Sequence, residues 1–158
     1  MSNTKTIEIG TVMVDSGQLM IVDPCYLSDW DNNEYIDIRL HKDINTGEIF
    51  QYGKDFPNYE HKLEKYNGKT PNSLIAEGIW ISIESKEKEN AVGEFSYNGA
   101  CVTSMKPLSK NSGNLANGMA AVFRSGFGDG RYKVTAKVKN FGDWGDRITQ
   151  VTIKLIED

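Results

Sequence analysis

The chain has 158 residues, a net charge of −4, 39% apolar residues and 25% charged residues. That is one ordinary domain, long enough to bury about two-thirds of the surface its unfolded form exposes, so it needs no disulfide or metal staple. The composition excludes disordered and fibrous classes, and two cysteines are too few for a secreted disulfide scaffold.

No apolar run nears the ~20 residues that span a bilayer, which argues against a membrane partner. There is no run of basic residues, and lysines alternate with acids across residues 84–89, a pattern read as solvated surface. Sequence-specific nucleic-acid recognition is therefore not expected. The N-terminus runs straight into a strand pattern without a leader, so the expected location is the cytoplasm.

In chain order, Ile7, Ile9, Val12 and Val14 precede the turn cluster Asp15-Ser16-Gly17, and Gln18 to Val22 follow it, which reads as a hairpin. A change of parity at Gly10-Thr11 predicts a bulge. Asp23-Pro24 ends the second strand, because proline brings no N–H to a ladder. Asp23 reads as a turn or cap residue, Ser28 as the N-cap of a short helical turn, and Tyr26 as an anchor with a buried ring. Tyr35, Ile36 and Ile38 suggest a short extended segment. Residues 41–72 are weakly patterned and read as a loop-rich insertion.

From Ile79 the alternation of isoleucines with Trp80, Ser82 and Glu84 predicts a half-buried strand. Asn98-Gly99 lies between β-rich runs and predicts a type I′ hairpin. A polar linker over residues 109–117 leads to three alternating segments, 119–124, 132–138 and 151–155, expected to form an antiparallel meander. The fold class is mainly β: one domain over residues 1–158, an antiparallel sandwich or open barrel with one or two short helices.

Two segments carry a resemblance. Val14 to Tyr26, with D-S-G then D-P-C-Y, resembles the opening of a family of small uncharacterised bacterial and phage proteins. Ser125 to Tyr132 is similar to the S-G-x-G-D-G-x-Y segment of the same family and of a related domain of unknown function; Lys133 replaces the usual proline after the tyrosine, while Val134 is retained. The resemblance implies a β-rich fold and a bacterial or phage source. It implies no activity.

Chemistry is sparse. The glycines at 126, 128 and 130 lie between strands without the lysine of a P-loop, so they read as turn chemistry, with Asp129 bonding its own turn; the other reading is an anion-binding loop completed by Arg131. Asp129, Asp143 and Asp146 lack the spacing of a calcium loop. His41 and His61 are 20 apart and Cys25 and Cys101 are 76 apart, so no zinc site or other metal is expected, and no cofactor. Cys25 is a weak candidate nucleophile, since nothing in the sequence supplies a base or a depressed pKa.

Trp30, Trp80, Trp144, Tyr26, Tyr132, Phe127 and Phe141 read mainly as core. Phe127, Phe141 and Trp144 lie in expected loops, where clustering with Arg124, Arg131 or Arg147 would make a polar-rimmed aromatic pocket. The leading expectation is a non-enzymatic binding protein that sequesters a small molecule, such as a signalling nucleotide, or contacts a protein, through Phe127, Asp129, Arg131 and Trp144. The alternatives are a hydrolase using Cys25 or an acidic pair from Asp23, Asp129 and Asp143, and a structural accessory protein that forms homodimers through strand edges.

Overall fold

The computed structural model describes residues 4–105 and 111–156; residues 109–110 of the expected linker lie outside that range. The fold is mainly β, with three antiparallel sheets of three strands each. In chain order the strands are β1 (Thr4–Val14), β2 (Gln18–Val22), β3 (Leu40–Asp43), β4 (Ile49–Gln51), β5 (Trp80–Ile83), β6 (Ser112–Leu115), β7 (Ala120–Arg124), β8 (Gly130–Asn140) and β9 (Asp146–Ile153). The helices are α1 (Pro71–Ala76), α2 (Lys86–Ala91) and α3 (Tyr97–Met105). No helix among the described residues is long and apolar enough to cross a membrane. Backbone contacts gather into two compact units: unit 1 is Met1–Trp30 with Thr103–Asp158, and unit 2 is Asp31–Val102.

Unit 1 holds two sheets, ordered β1-β8-β9 and β2-β7-β6. Asp15-Ser16-Gly17 turns the chain as expected, but β1 and β2 do not form a hairpin: β1 pairs with β8 and β2 with β7. Nor do the last three strands form a meander, because β7 pairs with β2 and β6 while β8 pairs with β1 and β9. Turn chemistry marks where a chain reverses; which strand it then meets is decided by the burial available on each sheet. The bulge falls between Glu8 and Gly10, one position before the expected one. On the central strands, Val134, Ala136 and Val138 of β8 and Ala120 and Val122 of β7 are buried, and Leu115 on the edge strand β6 is fully so.

Unit 2 carries the sheet β4-β3-β5. Residues 41–72, expected as a loop-rich insertion, contain β3, β4 and much of an aromatic core. Phe56, Leu74 and Trp80 are at most 1% exposed and are packed by Phe50, Tyr52, Tyr59, Leu63 and Tyr66. Each such side chain contributes about 1.5–3 kcal/mol on burial. On β5 the tryptophan, not the isoleucines, faces this core: Trp80 stacks on Phe50 with centroids 4.5 Å apart, while Ile81 is exposed. The indole has the larger apolar area to bury. The Thr70 hydroxyl and Ser73 form a capping box at the start of α1, and Pro71 occupies the first turn, where its missing N–H costs nothing.

The 84–89 run is more than solvated surface. Ser85 accepts from the Lys88 N–H and caps α2, with Glu87 and Glu89 at the positive end of the helix dipole. The Asn98-Gly99 hairpin is replaced by α3. Ser96 is the reason: its hydroxyl accepts from the Gly99 N–H (2.9 Å) and its carbonyl from the Ala100 N–H (2.8 Å), an N-cap that starts a helix before the turn can form. The Asn98 side chain meanwhile accepts from the Ile36 N–H (3.0 Å). A Cβ at Gly99 would collide with the Glu94 backbone, so glycine is required for close approach rather than for a left-handed turn.

Candidate functional site

The two segments that carry the family resemblance meet in unit 1. The Ser125 N–H donates to the Gly17 carbonyl (3.1 Å), joining the 125–130 loop to the turn between β1 and β2. The loop is tied internally as well. The Ser125 hydroxyl donates to the Gly128 carbonyl (2.8 Å), and the Tyr132 phenol lies 2.7 Å from the Ser125 carbonyl and 2.6 Å from that of Gly128. Gly126 has φ +56°, and a Cβ there would stand 2.5 Å from the Leu155 carbonyl oxygen. The serine, the glycine and the tyrosine of this segment thus each have a mechanical role: they fold a tight loop against the backbone at 155.

At the tip of that loop stands Phe127, 91% exposed. A phenylalanine ring left in water between two residues, Ser125 and Gly128, whose backbone groups are hydrogen-bonded is an unusual use of apolar surface. Beside it opens a concavity of about 640 Å³, lined by Arg124, Asn111, Ser112, Phe123, Phe127 and Ile156 among others. This is within the size range of small-molecule sites, and it combines an aromatic face, one guanidinium and a few polar groups.

The four residues expected to share a ligand are not brought together. Phe127 precedes β8, whereas Trp144 follows it, in a 3-10 turn at Gly142–Trp144. The eleven residues of β8 separate them by roughly 30–35 Å at 3.3 Å per residue. Trp144, 75% exposed, lies instead with Phe141, Arg147, Ile148 and Thr149 around a shallow depression of about 410 Å³. Arg131 lines a third concavity with Lys133, Thr135, Thr152 and Lys154. Asp129 is exposed on the loop itself. Aromatic–arginine clustering therefore occurs twice, as Phe127 with Arg124 and as Phe141 and Trp144 with Arg147.

Cys25 is exposed on the 3-10 turn Pro24–Asp29, which is capped by Asp23 and not by Ser28: the Asp23 carboxylate accepts from the Cys25 N–H at 3.0 Å. That carboxylate, bonded also to the thiol, raises the Cys25 pKa, with slight burial adding to it. A nucleophile needs the opposite shift. The Tyr26 ring, expected buried, is partly exposed. The acids of the alternative hydrolase lie on separate turns, Asp23 before Pro24, Asp129 before β8 and Asp143 after it. Asp146 is held by Asn140 (2.8 Å) and Lys5 (3.3 Å), and these contacts, the Asn140 bond foremost, lower its pKa. No cluster of three potential metal ligands occurs among the described residues.

One polar arrangement was not signalled by the sequence. His41 on β3 is buried in unit 2, with Nε2 3.1 Å from the Tyr59 hydroxyl and Nδ1 3.4 Å from the hydroxyl of Ser82, its cross-strand partner. Burial lowers the pKa of this imidazole, so it is held neutral against the ring of Trp80. An apolar enclosure that disfavours imidazolium makes a poor general base, and the arrangement serves packing. Asp43 likewise serves the core, accepting from the Tyr66 phenol (2.6 Å) and from the N–H groups of Asn45 and Thr46; burial, with that bond, pushes the Tyr66 pKa up to about 12.

No protein-family model, curated protein or solved structure matches the chain.

Proposed function

We propose that the protein is a non-enzymatic binding protein whose contact site is the 125–130 loop of unit 1 and the concavity beside it. The observation that carries this reading is Phe127: a ring almost wholly in water, on a loop tied by Ser125, Tyr132 and the close approach of Gly126 to residue 155. A preorganised aromatic loses little entropy on binding, and burying such a ring is worth about 2–3 kcal/mol. With Arg124 for an anionic group and Asn111 and Ser112 for polar edges, the occupant best matched is a small planar anion of the nucleotide class.

The test is a thermal-shift panel of mono-, di- and cyclic nucleotides on the wild-type chain and on Phe127→Ala. A ligand at 100 times its Kd adds about 2.7 kcal/mol, or roughly 5–10 °C in Tm for a chain of this size. Phe127→Ala is expected to lose that shift while its unliganded Tm stays within about 2 °C, because an exposed ring contributes little to folding. Failure of every nucleotide to stabilise the wild type rules out the nucleotide reading.

A further inference from the structure

The strand register of β1-β8-β9 sorts its side chains into two faces of opposite character. One face carries Val134, Ala136 and Val138, all buried. The other carries, along the central strand, Arg131, Lys133, Thr135, Lys137 and Lys139. Arg147 pairs with Lys139 in the register, and Thr152 pairs with Thr135. Lys154 joins the same face beside Arg131 and Lys133. Six cations thus share one surface with a single carboxylate among its described sheet positions, Glu8, which pairs with Lys133 at 2.6 Å.

This concentration is hidden by the chain's net charge of −4. Unit 1 has ten basic residues against nine acidic ones, and unit 2 has eight against thirteen. From Arg131 to Lys139 the row runs roughly 27 Å, and the sheet is roughly 10 Å between its outer strands.

We infer that this face binds single-stranded nucleic acid through its phosphate backbone, without reading sequence. Three features favour that occupant. Four of the cations form a linear row along β8, with Arg147 and Lys154 beside its two ends, a narrow track that suits a single phosphodiester backbone better than a duplex. At its Arg131 end is a concavity of about 440 Å³ lined also by Thr135 and Thr152, whose hydroxyls are phosphate donors; a flat lipid surface cannot enter it. At its far end Phe141 lies under the Lys139 ammonium (5.2 Å) and Trp144 is 75% exposed, so a base has an aromatic surface to stack on where the cation row stops.

The surface is distinct from the Phe127 loop, and its test uses different residues and a different probe. Fluorescence anisotropy of a labelled oligothymidylate about 15 nucleotides long, titrated with the full chain, reads the interaction at a length typical of single-strand sites. The expected result is binding at low salt whose log K falls with log salt at a slope near −3, since each of about four neutralised phosphates contributes about −0.7. Lys137→Glu with Lys139→Glu is expected to weaken binding at least about tenfold. The milder pair Lys137→Gln with Lys154→Gln, which leaves the Phe141 contact in place, should lower the slope by about 1 with an unchanged circular dichroism spectrum. Trp144→Ala should weaken binding without altering the slope.

Absence of salt-dependent binding would overturn the inference. So would equal affinity in the charge-reversed and neutralised variants, or binding confined to anionic phospholipid vesicles.

Discussion

Alanine at Gly126 tests whether the loop that presents Phe127 is built as described. Gly126 has φ +56°, and Gly142, in the turn between β8 and β9, has φ +65°; both belong to unit 1 and both are left-handed. They differ in what surrounds them. A Cβ at Gly142 meets nothing within 4 Å, whereas one at Gly126 stands 2.5 Å from the Leu155 carbonyl oxygen and 3.0 Å from Ile156 Cγ1. Gly142→Ala therefore carries only the backbone penalty, about 1–2 kcal/mol. Gly126→Ala carries that penalty plus overpacking of about 1–3 kcal/mol, since the nearest atom is backbone and cannot rotate aside. Urea denaturation of both variants, with m-values compared to confirm a common transition, should place Gly126→Ala below Gly142→Ala by at least about 1 kcal/mol, or roughly 2–4 °C in Tm. Equal stability of the two would refute the contact between the loop and residue 155, and with it the account of how Phe127 is held outward.

Two further outcomes follow from the titrating groups. His41 has its pKa lowered by burial, so the unfolded chain binds its proton more readily; the stability this gives is complete above the unfolded value of about 6.5 and is lost as pH falls through the lower folded value. Tm should therefore drop between pH 8 and pH 5, and His41→Gln should flatten that part of the curve; an identical slope in the variant would remove His41 as its cause. Cys25, with its thiol pKa raised chiefly by Asp23, should alkylate with iodoacetamide more slowly at neutral pH than in Asp23→Asn, with buried Cys101 as the unreactive internal control. An Asp23→Asn rate no faster than wild type contradicts that assignment.

The parts of the fold legible in the sequence are those set by short-range chemistry. The strands around Val14 and Tyr132 to Val138 follow from period-two alternation, Gln18 to Val22 from an apolar run after a turn cluster, and Asp23 before Pro24 caps its turn as expected. Misread elements are those where a long-range or competing interaction decides. Asn98-Gly99 carries a strong turn signal, but the Ser96 cap and the engagement of Asn98 with Ile36 and Asn33 stabilise a helix instead. Residues 41–72 lack periodicity because their aromatics, Phe50, Tyr52, Phe56, Tyr59 and Tyr66, come from short strands and turns that surround Trp80, and no repeat links them along the chain. Strand pairing was illegible for the same reason: Gly17 turns the chain, while the partners of β1 and β2 lie about a hundred residues or more away.

The candidate surfaces show a further way in which one-dimensional reading fails. The alternation that reveals β8 as a strand comes from Tyr132, Val134, Ala136 and Val138, and attention to those residues passes over what lies between them. Arg131, Lys133, Lys137 and Lys139 are never adjacent in sequence, so a search for a basic run finds none, yet the two-residue period of a strand sets them all on one side. Arg147 joins them only because β9 folds back in register, and Lys154 because it follows the end of that strand beside Arg131 and Lys133. Pooling the charge over 158 residues completes the concealment, since the thirteen acids of unit 2 outweigh the local excess. Electrostatic attraction, however, acts over about 10 Å at moderate salt, so an approaching anion responds to the face in front of it and not to the total. A chain that is acidic overall can therefore hold a polyanion, provided its cations alternate on one strand and its acids lie elsewhere.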